Sequence, residues 1–136
     1  MTNQEKKRWL RRYRGMKGRS RWLRAEIARW RAAAERCTTS FSLSRGAGSD
    51  DRLQRAIDRI DELERQLLDQ IAANAEECRL IEAAVAAIGD DRLREVLERR
   101  YIEGLRWEEI AERMGYADRH VRRLHGDALT ALEPPE

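Results

Sequence analysis

Four long donors crowd the start of one short segment. Arg119, His120, Arg122 and Arg123 stand in ADRHVRRLHGDALTAL, where Val121, Leu124, Ala128, Leu129 and Leu132 recur at 3- and 4-residue steps. On a helix that spacing gathers the apolar residues on one side and leaves the donors on the other, near the N-terminus. Guanidinium and imidazole groups in such a place suit hydrogen bonds to base edges and phosphate oxygens. Arg119 and Arg123 are the expected base readers, with Arg122 and His120 on phosphate or flanking the groove. Asp118, in the first turn, would face phosphate poorly. Just upstream, Glu108–Met114 reads as a shorter helix with Ile110 and Ala111 on its buried side, and Gly115 sits where the chain must turn sharply. This pattern predicts a helix-turn-helix, which places one helix in a DNA groove. A helical hairpin that only packs would show the same spacing.

Other chemistry finds little support. His120 and His125 are five residues apart on one helix and project too far apart to share a metal. Cys37 and Cys78 sit at apolar seam positions, where small thiols are ordinary core. Two cysteines make no disulfide framework, so a reduced, cytoplasmic chain is expected. Asp50–Asp51 and Asp90–Asp91 read as helix caps. With no phosphate-binding glycine loop and no nucleophile motif, neither an enzyme nor a cofactor is expected. The N-terminus, MTNQEKKRWLRR, lacks the apolar core of a signal peptide, and the longest apolar run, Ala83–Ile88, is far too short to span a membrane.

The wording of RRYIEGLRWEEIAERMGYADRHVRRLHGDAL strongly resembles region 4 of bacterial sigma factors. The resemblance rests on Tyr101, Gly104, Leu105, Glu108, Glu109, Ile110, Ala111, Glu112, Met114, Gly115, Val121, Arg122, Ala128 and Leu129. It covers about the last third of the chain. It implies a three-helix head that binds double-stranded DNA, and a contact with RNA polymerase through the Leu93–Tyr101 surface. The Ser or Thr that usually caps each helix of this motif is replaced by Arg106 and Ala117, at about 1 kcal/mol per lost cap. Glu108, Glu109 and Asp118 offset part of that through the helix dipole. The chain as a whole is similar to small phage and prophage proteins, the late-gene transcription regulators of the ArpU and RinA type.

The elements that must hold this head are two long helices. From Gln4 to about Arg36, Trp9, Tyr13, Met16, Ser20, Leu23, Ile27, Trp30 and Ala34 alternate at 4 and 3. Leu53, Ile57, Ile60, Glu64, Leu67, Ile71, Asn74, Cys78, Ile81, Val85 and Ile88 do the same. Each segment therefore predicts a coiled-coil seam, joined by a Ser/Thr/Gly-rich loop over residues 38–49, with Ser49 capping the second helix. An antiparallel fold-back pairs Trp9 with Cys78, Tyr13 with Asn74, and Glu64 with Ser20 and Leu23. Leu10, Trp22, Leu63 and Leu68 fall off this seam and call for a second copy or a partner.

Charge is unevenly spread over the 136 residues, whose net is +3. Residues 1–36 carry 13 Lys/Arg against three Glu, a net of +10, whereas residues 89–136 carry nine Arg against 12 acids, a net of −3. The basic helix offers Lys6, Lys7, Arg8, Arg11 and Arg12 for non-specific phosphate contact, or for pairing with acids on its neighbour. The head itself is acidic overall, but its arginines cluster where the groove would lie. Arg106, before the first helix of the motif, joins Asp118, Arg119, His120, Arg122 and Arg123 as a DNA-contact candidate.

The fold expected is all-α: a long antiparallel helical hairpin over 1–88, then a region-4-type head over 89–136. The function expected is a phage-type transcription regulator that self-associates, with a dimer favoured. Two other readings share the same features. One is a DNA-recognition subunit of a phage packaging machine, similar to a small terminase; the other is a polymerase-binding protein that does not touch DNA.

Overall fold

The computed structural model describes residues 1–44 and 47–135, apart from the side chains of 40–50. Among the described residues the chain is all-α, with five α-helices. Helix α1 spans Asn3–Ser44 and α2 spans Ala47–Ala86. Helix α3, Asp91–Leu97, runs on into one π-helical turn, Glu98–Ile102. Helices α4, Trp107–Met114, and α5, Asp118–Ala131, form the helix-turn-helix.

Most of the loop expected over 38–49 is helix, because α1 continues to Ser44 and α2 is already helical at Ala47; residues 45 and 46 lie outside the described residues. Two of the hydroxyls that suggested a loop are absorbed by the helix: Thr38 and Thr39 donate to the carbonyls of Ala34 and Glu35 at 3.0 and 3.1 Å. Ser49 lies inside α2, and its side chain is outside the described residues.

The chain divides into two compact units, and not at the expected 88/89 boundary. The first combines Met1–Met16 with Asn74–Glu136; the second is Lys17–Ala73. The reason lies in the head's own surface. Leu97, Tyr101, Ala128, Leu129 and Leu132 share one buried cluster with Trp9, Leu10 and Tyr13 of α1, with Cys78, Ile81 and Val85 of α2, and with Ile88 just after α2. A second cluster, Val96, Ile110, Ala111, Val121 and Leu124, locks α3, α4 and α5 together. Ile110, Ala111, Val121, Leu124, Ala128, Leu129 and Leu132, expected on the apolar sides of the two motif helices, are all buried.

Local rules set the joints. Asp90 caps α3 by accepting from the backbone N–H groups of Arg92 and Leu93. The π turn closes through Glu103 N–H to Glu98 O at 2.9 Å. Gly104 follows at φ 77°, a backbone region that disfavours other residues, and a Cβ there would collide with the Arg14 guanidinium. Arg14 uses that closeness to donate to Glu103 O at 3.1 Å. Gly115 ends α4 at φ 71°, as the turn required.

In the second unit, Leu23, Ile27 and Leu63 form the buried cluster, with Trp30, Ile60 and Leu67 against it. The seam is therefore rotated from the expected one. Leu63 and, in the first unit, Leu10 are fully buried, although both were expected off the seam. Ile57 and Ile71, expected on it, are 40% and 41% exposed. Small Ala56, 2% exposed, brings the Ala56–Ile60–Leu63–Leu67 face of α2 inward. The polar pairings move as well. Tyr13 donates to Glu82 Oε1 at 2.5 Å, and Arg31 holds Glu64 at 2.5 Å. Asn74 Nδ2 is buried without a hydrogen-bond partner. The expected Asn74–Tyr13 and Glu64–Ser20 contacts thus do not set the register.

Leu10→Ala should cost the first unit about 2–5 kcal/mol and lower its urea midpoint. A midpoint equivalent to within about 0.5 kcal/mol of the parent would mean that Leu10 is exposed and the head stands apart from α1.

Candidate nucleic-acid interface

Helix α5 presents its donors as a consequence of how it is anchored. Val121, Leu124, Ala128 and Leu129 are buried beneath it, so Arg119, Arg122 and Arg123, one helical step around, are exposed. Ala117 opens the helix with no side-chain cap, and Asp118 lies in its first turn. The uncapped N–H groups and the arginines make this end positive, and Asp118 subtracts from it. His120 is half-buried and stands edge-on to Tyr116, ring centres 4.7 Å apart. Tyr116 follows the glycine turn, so this ring contact steadies the turn as much as it offers a donor.

Charge neutralisation separates the arginines of the head into two groups. Arg94 pairs with Asp91 at 2.5 Å, Arg99 with Glu95 at 2.9 Å and Arg106 with Glu109 at 3.0 Å. Among the described residues, no carboxylate lies within ion-pair distance of Arg119, Arg122 or Arg123. The net acidic count of the head is thus met locally on α3 and α4, and the exposed face of α5 stays cationic.

Arg106 is folded back on its own helix. The Glu109 carboxylate accepts from both its backbone N–H, at 3.2 Å, and its Nε, at 3.0 Å. These bonds hold the Glu109 carboxyl below its ordinary range. They supply the reverse half of a capping box, Glu109 back to the Arg106 N–H, whereas the first N–H groups of α4 find no acceptor in the Arg106 side chain.

The basic residues of α1 do not act as one face. Lys6 Nζ donates to Leu129 O at 2.8 Å, at the C-terminal end of α5, where free carbonyls and the helix dipole favour a cation. Arg12 pairs with Glu77 at 2.6 Å. Lys7 is half-buried, and Arg8 and Arg11 are exposed.

At the centre of the unit lies a residue whose role the spacing of the donors does not reveal. His125 is 8% exposed, its Nε2 lies 2.7 Å from the Tyr101 hydroxyl, and its ring meets Trp107 edge-on at 4.7 Å. Arg100 and Arg122 stand over Trp107, at 4.5 and 5.7 Å from its ring centre. Burial, then the positive fields of Lys7, Arg100, Arg11 and Arg122, push the imidazole pKa down to about 4. A neutral ring is therefore what lets these cations approach one another. The signal was available in the sequence: positions 121, 125, 128 and 132 continue the same 4-3-4 stripe.

With this geometry in place, comparison with known proteins is specific in one region. Residues 90–133 match the family model of Sigma-70, region 4, a DNA-binding helix-turn-helix domain. The match begins at the Asp90 cap and ends just after Leu132, so it takes in the whole of α3, α4 and α5. No curated protein and no solved structure matches the chain. Among the described residues, no helix is long and apolar enough to cross a membrane.

The buried imidazole makes stability depend on pH. Its folded pKa, about 4, lies below the ordinary 6.5, so the unfolded chain binds the extra proton between those values. Stability is then full above about pH 6.5 and falls as pH drops towards 4, by about 3 kcal/mol. Urea titrations at pH 7.5 and 4.5 should show this fall in the parent, and a much smaller one in His125→Gln. Equal pH slopes in the two proteins would mean that His125 is not held neutral.

Proposed function

We propose that this protein is a sequence-specific DNA-binding transcription regulator of the phage type, with no enzymatic activity, working in the bacterial cytoplasm as a homo-oligomer in which a dimer is favoured. The observation that carries the reading is the set of Arg119, Arg122 and Arg123. They are exposed and free of carboxylates on the second helix of a motif that matches Sigma-70, region 4.

The side chains divide the work by position. Arg119 and Arg123 lie within about 40° of each other around α5 and reach towards base edges. Arg122, drawn towards the Trp107 ring, and His120, against Tyr116, sit to either side and serve the phosphate backbone. Arg8 and Arg11, with Lys7 beside them, extend the phosphate contacts. Lys6 and Arg12 hold protein groups and contribute less.

A polymerase contact is the lesser part of the reading. Val96, Leu97 and Tyr101 are buried, so the apolar side of the Leu93–Tyr101 surface is covered. What is left there for polymerase is a half-buried polar edge, Arg94, Glu95 and Glu98.

The test is selection of a preferred duplex from random DNA, followed by binding titrations. Arg123→Ala should weaken the selected site by about 1–3 kcal/mol and relax the base preference at one position. Replacing Arg8 or Arg11 by Gln should weaken all duplexes alike and reduce the salt slope by about one for each phosphate no longer neutralised. Selection that yields no preferred duplex, or Arg119→Ala and Arg123→Ala proteins that both bind it like the parent, would refute the assignment.

A further inference from the structure

The second unit is built from one stretch of α1 and one of α2. Among the described residues between Lys17 and Ala73, the buried hydrophobic side chains are Leu23, Ile27, Ala56 and Leu63. Two packed helices cover only one side of each other, and an apolar stripe elsewhere on either helix needs another layer. Helix α2 carries such a stripe. Ile57, Leu68 and Ile71 are 40%, 67% and 41% exposed, with half-buried Ile60 beside them. At 3.6 residues per turn, Ile57, Ile60, Glu64, Leu68 and Ile71 fall within about 80° of one another. A groove of about 360 Å³ runs alongside, lined by Arg24, Ile27, Ala28 and Arg31 of α1 and by Glu64, Leu67 and Leu68 of α2.

The spacing of the stripe says what covers it. From Ile57 to Ile71 the steps are 3, 4, 4 and 3, so the pattern reads the same in both directions about Glu64. Antiparallel helices related by a two-fold axis need that property, because residue i must meet residue j while j meets i. An axis at Glu64 sets Ile57 opposite Ile71 of a second copy, and Ile60 opposite Leu68 of that copy. A different protein would place no such demand on the spacing. The central charge is also answered: Glu64 is held by Arg31 of its own chain at 2.5 Å. The axis therefore brings together two ion pairs, not two bare carboxylates.

We propose that the α2 stripe Ile57–Ile60–Glu64–Leu68–Ile71 is a homodimer interface, closed antiparallel across a two-fold axis at Glu64. The proposal names the surface for the self-association in the functional reading above and rests on that part of it, independently of DNA binding.

Sedimentation of the full chain tests it. The parent should run at about twice its 16.0 kDa chain mass, and Leu68→Asp and Ile71→Asp should each run at the single-chain mass with unchanged helical circular dichroism. Trp22→Asp, about 160° around α1 from Arg24 at the groove, should stay dimeric. Glu64→Cys should form a covalent dimer on mild oxidation, whereas the parent and Asp58→Cys should not, and this arm decides the matter if an Asp variant loses helix. A parent at single-chain mass overturns both the association and the surface. A larger ring overturns the closed pair and favours the packaging reading. A dimeric parent indifferent to both Asp variants, or a Glu64→Cys protein that does not cross-link, overturns the surface alone. DNA selection and the Arg123→Ala titration, read separately, show whether the DNA assignment stands.

Discussion

A three-helix head of this size cannot bury enough apolar surface by itself, and most of this molecule follows from that shortage. Small domains bury a lower fraction of their surface than large ones. Here Leu97, Tyr101, Leu129 and Leu132 would face water on α3, the π turn and the end of α5. Trp9, Leu10 and Tyr13 from α1, with Ile81 and Val85 from α2 and Ile88 just beyond it, cover them. The helix-turn-helix is therefore a face of a larger unit and not a bead on a stem. The same packing brings the basic start of α1 to the end of α5, where Lys6 meets the carbonyls of Leu129 and Thr130. Helix α5 is thus compensated at its C-terminus by a lysine and left positive at its N-terminus, the polarity that suits an anionic groove.

Electrostatics inside the unit depends on one neutral group. Lys7, Arg11, Arg100 and Arg122 all lie close enough to His125 to depress its protonation. A charged imidazole there would add a fifth like charge in a place with little water. The neutral ring instead meets the Tyr101 hydroxyl and the edge of Trp107, and Trp107 in turn takes Arg100 and Arg122 over its ring. An aromatic centre of this kind gathers cations without a carboxylate. Arg94, Arg99 and Arg106 follow the opposite rule and are matched by acids three or four residues away. The partition explains how a region with more acids than bases still presents a cationic helix.

How far this was legible in the sequence differs between the head and the hairpin. In the head, the 3- and 4-residue steps through Val121, Leu124, Ala128 and Leu129, the glycine turn and the two cap positions all recur in the structure, because strong local rules agree there with tertiary packing. His125 escapes notice in the sequence since a histidine invites a search for metals, although its place in the apolar stripe marks it as core. In the hairpin the helices were legible but the rotation of α2 was not. Its apolar residues occupy two adjacent stripes, Ala56–Ile60–Leu63–Leu67 and Ile57–Ile60–Leu68–Ile71. The seven-residue alternation runs through the first, while the second steps 3, 4, 4 and 3 about Glu64, and only packing against α1 decides which of the two turns inward. The Ser/Thr-rich 38–44 segment misleads for a related reason: a hydroxyl that can cap a turn can equally donate to the carbonyl four residues back, and helix propagation from α1 decided it.

The basic segment of α1 shows why composition alone could not assign its role. A net of +10 over residues 1–36 suggests one cationic surface, yet a helix turns its residues through every direction. Lys6 and Arg14 point to the head and bind backbone carbonyls, Leu129 O and Glu103 O. Arg12 points to α2 and meets Glu77. Arg8 and Arg11 remain exposed, on either side of the buried Trp9 and Leu10. Arg14 also guides the chain. Gly104 ends the π turn, and only its missing Cβ admits the guanidinium, so the path from α3 into α4 is held by a residue ninety positions upstream. The first helix thus fixes the head at both ends of the helix-turn-helix, before α4 through Arg14 and after α5 through Lys6. The arginines of α5 then project from a helix gripped on both sides, and the rigidity that base reading requires is supplied by the same basic residues that are withdrawn from phosphate binding.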